Sequence, residues 1–254
     1  MKRAIVTGGA GAIGTAIVKN LVSAAYIVTI ISRDARNGEL AINNILKQIP
    51  KAQINFISLD LSDHQSIKQL AQNWKEPLDL LMNVASQTPR KREETNTGIE
   101  KQFATNVLGY YWMINEFAPF MKPNSRIVNV ASYWAGDLDL TDLEFKRRQY
   151  DNDTAYRQSK QCERMLTIYF AETLREKGIA VNSCHPGDVN SKLSNDLGFG
   201  GYETPEQGAE TPTYVAISNE VEGVTGKYFQ SKSARNDKFD KDAIAELVRQ
   251  CASY

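Results

Sequence analysis

Short β-branched apolar runs alternate with amphipathic stretches along almost the whole chain, and this restricts the fold more than any other feature. Residues 4–7, 27–31, 54–59, 78–82, 126–130 and 179–184 read as strands, with a weaker one at 228–229 after Gly226. Residues 13–24, 35–48, 63–75, 95–121, 154–177, 205–218 and 240–251 carry helical spacing. Strand and helix in strict alternation predict an α/β fold, a parallel sheet with helices on both faces. Right-handed crossovers then wind it both ways from its centre, giving a doubly wound sheet of about seven strands. No repeat, low-complexity run or linker divides residues 1–254, which read as a single domain. A polar, acidic-then-basic insertion is expected at about 136–153. A loop at about 188–204, with Gly198, Gly200 and Gly201, is a candidate to close over a substrate.

Composition narrows the class. The 254 residues carry no formal net charge and are 42% hydrophobic, enough for a substantial core. Balanced charge gives no long-range attraction to nucleic acid or anionic lipid. Arg90-Lys91-Arg92 and Lys146-Arg147-Arg148 have carboxylates beside them and read as solvated loop faces. Cys162, Cys184 and Cys251 form no C-x-x-C pair, so neither a disulfide framework nor a metal site is expected, and a reducing compartment is. No run reaches the ~18 apolar residues of a membrane span, and the first residues enter a strand directly. The expectation is a cytoplasmic protein.

The first strand ends in Thr7-Gly8-Gly9-Ala10-Gly11-Ala12-Ile13-Gly14 and opens a helix. Small residues there let backbone approach a pyrophosphate, and the helix N-terminus offers free N–H groups with partial positive charge. Gly8, Gly11, Ala12, Ile13 and Gly14 are therefore candidate dinucleotide contacts. The second strand ends in Ile31-Ser32-Arg33, with no carboxylate at the position that would accept from a ribose 2′-hydroxyl. An arginine follows instead, so NADP(H) is the reading, through Ser32, Arg33 and Arg36, with NAD(H) as the alternative.

Tyr156 and Lys160 lie four residues apart on a helical stretch, so phenol and ammonium share one face. A fixed cation favours phenolate over phenol and lowers a pKa that is otherwise near 10. Such a pair can exchange a proton with an alcohol or carbonyl oxygen. With 11 tyrosines in the chain, about one Tyr-x-x-x-Lys is expected by chance, and Tyr228 with Lys232 supplies a rival.

Motif order separates the two. After the glycine turn come Asp60-Leu61, Asn83-Val84-Ala85-Ser86, Asn106, Ser132 at the end of Val128-Asn129-Val130-Ala131, Tyr156 with Lys160, and His185-Pro186-Gly187-Asp188-Val189. In this order, from Lys2 to about Phe229, the chain resembles the short-chain dehydrogenase/reductase superfamily. Within it, the chain is similar to the retinol-dehydrogenase-like and WW-domain-oxidoreductase-like group. The resemblance implies a Rossmann-type fold and an NAD(P)-dependent oxidoreductase, with hydride transfer between nicotinamide and a carbonyl or alcohol. It implies a tetrad in which Ser132 orients the substrate oxygen and Tyr156 is acid and base. Lys160 would tune Tyr156 and hold the nicotinamide ribose, and Asn106 would position a water. It assigns Asp60 and Leu61 to the adenine, and Asn83, Val84 and Ala85 to the cofactor. Pro186, Gly187, Val189 and Ser191 would close over the nicotinamide. Two departures are Ala12 in place of a motif glycine and Val84-Ala85-Ser86 in place of Asn-Ala-Gly.

Tyr133, Trp134, Leu197 and Phe199 suggest an apolar pocket for a lipophilic small molecule. Read as Gly8-x-x-Gly11-x-x-Gly14, the turn also fits an extended-type nucleotide-sugar epimerase or dehydratase. A non-catalytic dinucleotide-binding regulator is the third alternative. The segments 99–121 and 154–177 are apolar on more than one face, which suits a homodimer or homotetramer, or deep burial within one chain.

Overall fold

The apolar runs pair in parallel as their alternation with helices requires. The computed structural model describes all 254 residues. The strands are β1 (Lys2–Thr7), β2 (Tyr26–Ser32), β3 (Ile54–Ser58), β4 (Leu78–Asn83), β5 (Met121–Val130), β6 (Ala180–Cys184), β7 (Tyr228–Gln230) and β8 (Ser233–Arg235). They form one sheet in the order β3-β2-β1-β4-β5-β6-β7-β8. The chain winds outward from β1 to β3, then returns to β4 on the other side of β1. A cleft therefore opens between β1 and β4 at their carboxyl ends. Thr7 pairs with both Ile31 and Asn83, and Asn83 with Asn129, so four strands terminate level with one another.

Side chains alternate across the sheet and feed two cores. Ile5, Leu81, Ile127 and Val181 face α3 (His64–Asn73), α4 (Gly109–Phe117), α5 (Asn152–Thr173) and α8 (Lys241–Cys251). Ala4, Val6, Leu80, Met82 and Val128 face α1 (Ala12–Ser23), α2 (Ala35–Gln48) and α7 (Pro205–Ile217). Helix starts follow local chemistry: Asp34, Asp63, Asp151 and Asp240 accept from the backbone N–H three residues on, and Thr204 does the same in a capping box. The broad apolar faces of 99–121 and 154–177 are covered within the chain. Phe103, Trp112 and Phe117 join Cys162, Met165 and Leu166 in one cluster, closed by Ile244 and Leu247 of α8. No helix is long and apolar enough to cross a membrane.

The structure departs from the sequence reading in four places. An eighth strand, β8, pairs antiparallel with β7 through a turn in which Ser231 (φ 48°) and Lys232 (φ 62°) are both left-handed. Asn-Gly ordinarily marks that turn, and neither residue occurs there. Second, the approach to α4 contains a π-helical turn, Phe103–Leu108, whose side chains are all buried. Third, a short helix, α6 (Lys192–Asp196), interrupts the 188–204 loop. Fourth, four consecutive residues of the 136–153 insertion turn inward beside the basic cluster read as a solvated face. Asp142, Leu143, Glu144 and Phe145 are buried, and the Asp142 carboxylate accepts from the N–H groups of Lys146 (2.7 Å), Arg147 (3.1 Å) and Arg148 (3.1 Å). Arg148 lies 4.1 Å over the Phe145 ring, and Arg92 donates to the Glu144 carbonyl (2.9 Å). Both basic clusters are thus partly built into the protein, because their carboxylate neighbours fold inward with them.

One polar chain crosses the apolar interior: Asn83 donates to Asn129 Oδ1 (3.0 Å) and Asn129 donates to Thr167 Oγ1 (2.9 Å). It ties β4, β5 and α5 just below the cleft. Asn129→Ala leaves the buried Asn83 amide without its acceptor and Thr167 with only its bond to the Glu163 carbonyl. It is expected to lower stability by about 2–3 kcal/mol, read as a fall in urea midpoint at unchanged m-value.

Candidate active site

The turn after β1 is shaped by close approach. Gly8 is left-handed (φ 66°), and a Cβ there would lie 2.7 Å from Ala85 Cα. A Cβ on Gly14 would lie 2.1 Å from the Gly8 carbonyl oxygen. Backbone therefore packs directly on backbone, and only glycine fits either position. At position 12 alanine is accommodated, on the cleft wall. α1 starts at Gly11 with no side-chain cap. Its first N–H groups are left for an anion, whereas α2, α3, α5 and α7 each start at a side-chain cap.

A cavity of about 540 Å³ runs along the strand ends. Gly8, Gly11, Ala12, Ile13, Gly14, Ser32, Arg33, Asp60, Leu61, Val84 and Ala85 line one part of it, and Ser132, Tyr156, Lys160, Pro186, Gly187, Val189 and Ser191 line another. Three predicted residues lie off this wall. Asn83 is fully buried beneath it, in the bond to Asn129. Arg36, on the first turn of α2, is exposed and does not line the cavity. Asn106 sits behind the wall, where the π-helical turn directs its amide to the Gln87 carbonyl (3.1 Å) and Ser159 Oγ (3.2 Å) while its oxygen accepts from Gln87 N–H (3.0 Å). It fastens the segment after β4 to α5, which adjacency in sequence cannot reveal.

At the end of β2, Arg33 reaches to 3.7 Å from Asp60, and both are substantially exposed. Asp34, the one carboxylate that competes with an arginine reading, is turned to cap α2 through Asn37 N–H (3.0 Å). Ser191, expected at a carboxamide, caps α6 through Ser194 N–H (3.2 Å).

α5 carries Tyr156 and Lys160 into the centre. The Ser132 hydroxyl, at the end of β5, accepts from Trp134 N–H (3.1 Å). The Tyr156 phenol is held above the ordinary tyrosine range. Burial is the largest cause, the Ser132 hydroxyl pulls it down, and the Glu163 carboxylate pushes it further up. The Lys160 ammonium, expected to lower it, meets a carboxylate of its own. Lys160 Nζ donates to Glu163 Oε1 (2.8 Å), Glu163 Oε2 (3.1 Å) and the Val130 carbonyl (3.1 Å). Sequence reasoning missed Glu163, although its spacing of three from Lys160 is helical and could have signalled it. The rival pair separates: Lys232 bonds Glu210 (2.9 Å) from the β7–β8 turn, and Tyr228 is buried under the Arg164 guanidinium (3.8 Å).

Part of the cavity lining is apolar. Trp134 and Phe199 rings meet at 4.6 Å, with Leu193 and Pro89 on the same wall. Tyr133 and Leu197, also expected here, lie off the lining; Tyr133 packs on the His185 ring (4.4 Å) and donates to Asp188 (3.0 Å). Burial pushes the His185 imidazole down to about 4, with Asp188 opposing, so it stays neutral at physiological pH.

Comparison with known proteins agrees with this geometry. Residues 2–198 match the family model described as short chain dehydrogenase. A probable oxidoreductase of Streptomyces antibioticus is 32% identical, over 95% of this chain and 89% of its own. Retinol dehydrogenase 13 of Mus musculus is 30% identical, over 99% of this chain and 83% of its own. Among solved structures, a short chain dehydrogenase from Burkholderia cenocepacia in complex with NADP superposes with a TM-score of 0.73 at 22% identity, over 90% of this chain and 95% of its own. The chain therefore belongs to the short-chain dehydrogenase/reductase family, in its retinol-dehydrogenase-like group, as an NAD(P)-dependent oxidoreductase.

Proposed function

We propose that this protein interconverts a carbonyl and an alcohol on a lipophilic small molecule, using NADP(H), with Tyr156 as the acid and base. The observation that carries the reading is convergence: the Ser132 and Tyr156 side chains line the same cavity as the glycine turn and Arg33. When bound, the nicotinamide supplies or accepts the hydride. The uncapped start of α1 would hold the pyrophosphate, and Arg33 a ribose 2′-phosphate, in exchange for its exposed contact with Asp60. The capping role of Asp34 supports NADP(H), because it keeps a carboxylate away from that phosphate. The NADP complex of the Burkholderia structure is in keeping with this choice.

Ser132 donates to the substrate oxygen and orients it beside the phenol. Tyr156 transfers its proton to that oxygen in reduction and accepts it back in oxidation. A phenol raised by burial is protonated throughout the neutral range, the form needed for reduction. Trp134, Phe199, Leu193 and Pro89 exclude water from the rest of the substrate and favour an apolar one. The name of the mouse relative, a retinol dehydrogenase, accords with that class.

Tyr156→Phe is expected to lower turnover by about 10²–10⁴-fold while NADPH binding, followed by fluorescence, is retained. Normal turnover in this variant would overturn the assignment. Arg33→Ala should weaken NADPH binding by about tenfold and leave NADH binding unchanged; equal effects on both would remove Arg33 from the phosphate site. With Tyr156 raised, kcat/KM for carbonyl reduction should stay flat between about pH 6 and pH 8, whereas alcohol oxidation, which needs phenolate, should climb through the same range. Rates with aldehydes of increasing chain length test the apolar pocket, and a peak at the shortest would argue against it.

A further inference from the structure

Glu163 is a carboxylate with no exposed surface in a wholly interior position, and the mechanism above does not use it. It lies one helical turn beyond Lys160, itself 2% exposed, on the same face of α5. The ammonium has three N–H groups and meets three acceptors: both Glu163 oxygens and the Val130 carbonyl at the end of β5. Its hydrogens are thus committed inward. Its nitrogen also stands 5.4 Å from the Tyr156 ring centre and 5.8 Å from that of Tyr110. A buried carboxylate is costly to desolvate, and an apolar side chain at 163 would leave the Val130 carbonyl as the only acceptor to Lys160.

We propose that Glu163 is a positioning residue that sets the ionisation of Tyr156 through Lys160, neutralising the ammonium and holding it against β5 so that the phenol keeps its proton. The inference rests on the reading of Tyr156 as acid and base. Other titratable groups face this pair from the surrounding elements. Tyr110 comes from α4, with its hydroxyl buried and without a partner. Cys162 lies on α5 and Cys184 on β6. Tyr228 of β7 faces Tyr156 and Cys184, with Arg164 and Asp237 behind it. All four are shifted upward, chiefly by burial, and remain neutral beside the pair. Among charged groups, Glu163 raises the phenol most, and Asp188, which follows β6 on the cavity wall, raises it less. Burial raises the Glu163 carboxyl and Lys160 holds it down, and the phenol titrates above it, so Glu163 is ionised when Tyr156 loses its proton.

The pH profile of kcat/KM for alcohol oxidation separates this role from a purely structural one. Glu163→Gln keeps the size and the hydrogen bond but removes the charge. Lys160 is then uncompensated, and the rising limb that reports the Tyr156 phenolate should be displaced to lower pH by about one unit or more. Glu163→Asp, which restores the charge, should move it back toward the original. The same displacement should appear in an NMR titration of ¹³Cζ-tyrosine in protein without cofactor, with Tyr156→Phe identifying the signal. Coincident profiles for the original chain and Glu163→Gln would overturn the proposal. Should the Gln chain not fold, Glu163→Asn carries the same expectation, since its shorter amide leaves room for a water at the ammonium. If neither folds, Glu163 is structural and the proposal falls. Full activity in Tyr156→Phe would instead sink the reading of Tyr156, independently of any change at Glu163.

Discussion

The level alignment of β1, β2, β4 and β5 is the constraint on which the rest of this structure depends. Thr7 is opposite Ile31 on one side and Asn83 on the other, and Asn83 is opposite Asn129. Every segment that leaves these strands begins at the same height. The glycine turn, Arg33, Val84-Ala85 and Ala131-Ser132 consequently emerge along one edge. A slip of one residue in any pair would send its inward side chains to the opposite core and lower its site residue into the sheet. The bonds from Asn83 through Asn129 to Thr167 pin this register and fix α5 to it, so that Tyr156 and Lys160 arrive at the same edge.

Electrostatics in the cleft are arranged around withheld charge. The acidic residues near the cofactor region are engaged elsewhere: Asp34 caps α2, and Asp60 accepts from Ser62 with one oxygen and faces Arg33 with the other. The start of α1 keeps its N–H groups free of any side chain. Toward an anion this end of the cleft is receptive. Around Tyr156 the reverse holds: the lysine is answered by a carboxylate, and burial keeps phenol and imidazole uncharged. One end is thereby suited to phosphate and the other to a neutral carbonyl or alcohol.

Much of the site was legible in one dimension because its parts lie at strand ends, and strand ends are visible in sequence. Gly8, Ser32, Arg33, Asp60, Ser132 and Gly187 each follow an apolar run and each lines the cavity. Three of the expected residues do not line it. Asn83 points between strands, Arg36 lies past the edge, and the π-helical turn carries Asn106 behind the wall. Position along a chain gives the height of a residue in the fold but not the direction of its side chain. The partial burial of the insertion at 136–153 was hidden for a related reason. Its polarity suggested solvent, whereas its carboxylates accept backbone N–H groups and so tolerate burial.

By itself the sequence determined the doubly wound sheet, the position of its cleft and the identity of a phenol–ammonium pair. Alternating patterns, glycine spacing and motif order are local or additive, and they survive reading in one dimension. Only the tertiary structure decided the electrical state of that pair. Whether a lysine beside a tyrosine acts as a free cation depends on what meets its other hydrogens. Here that is the Val130 carbonyl, thirty positions away in the chain, and a glutamate that burial leaves no alternative partner.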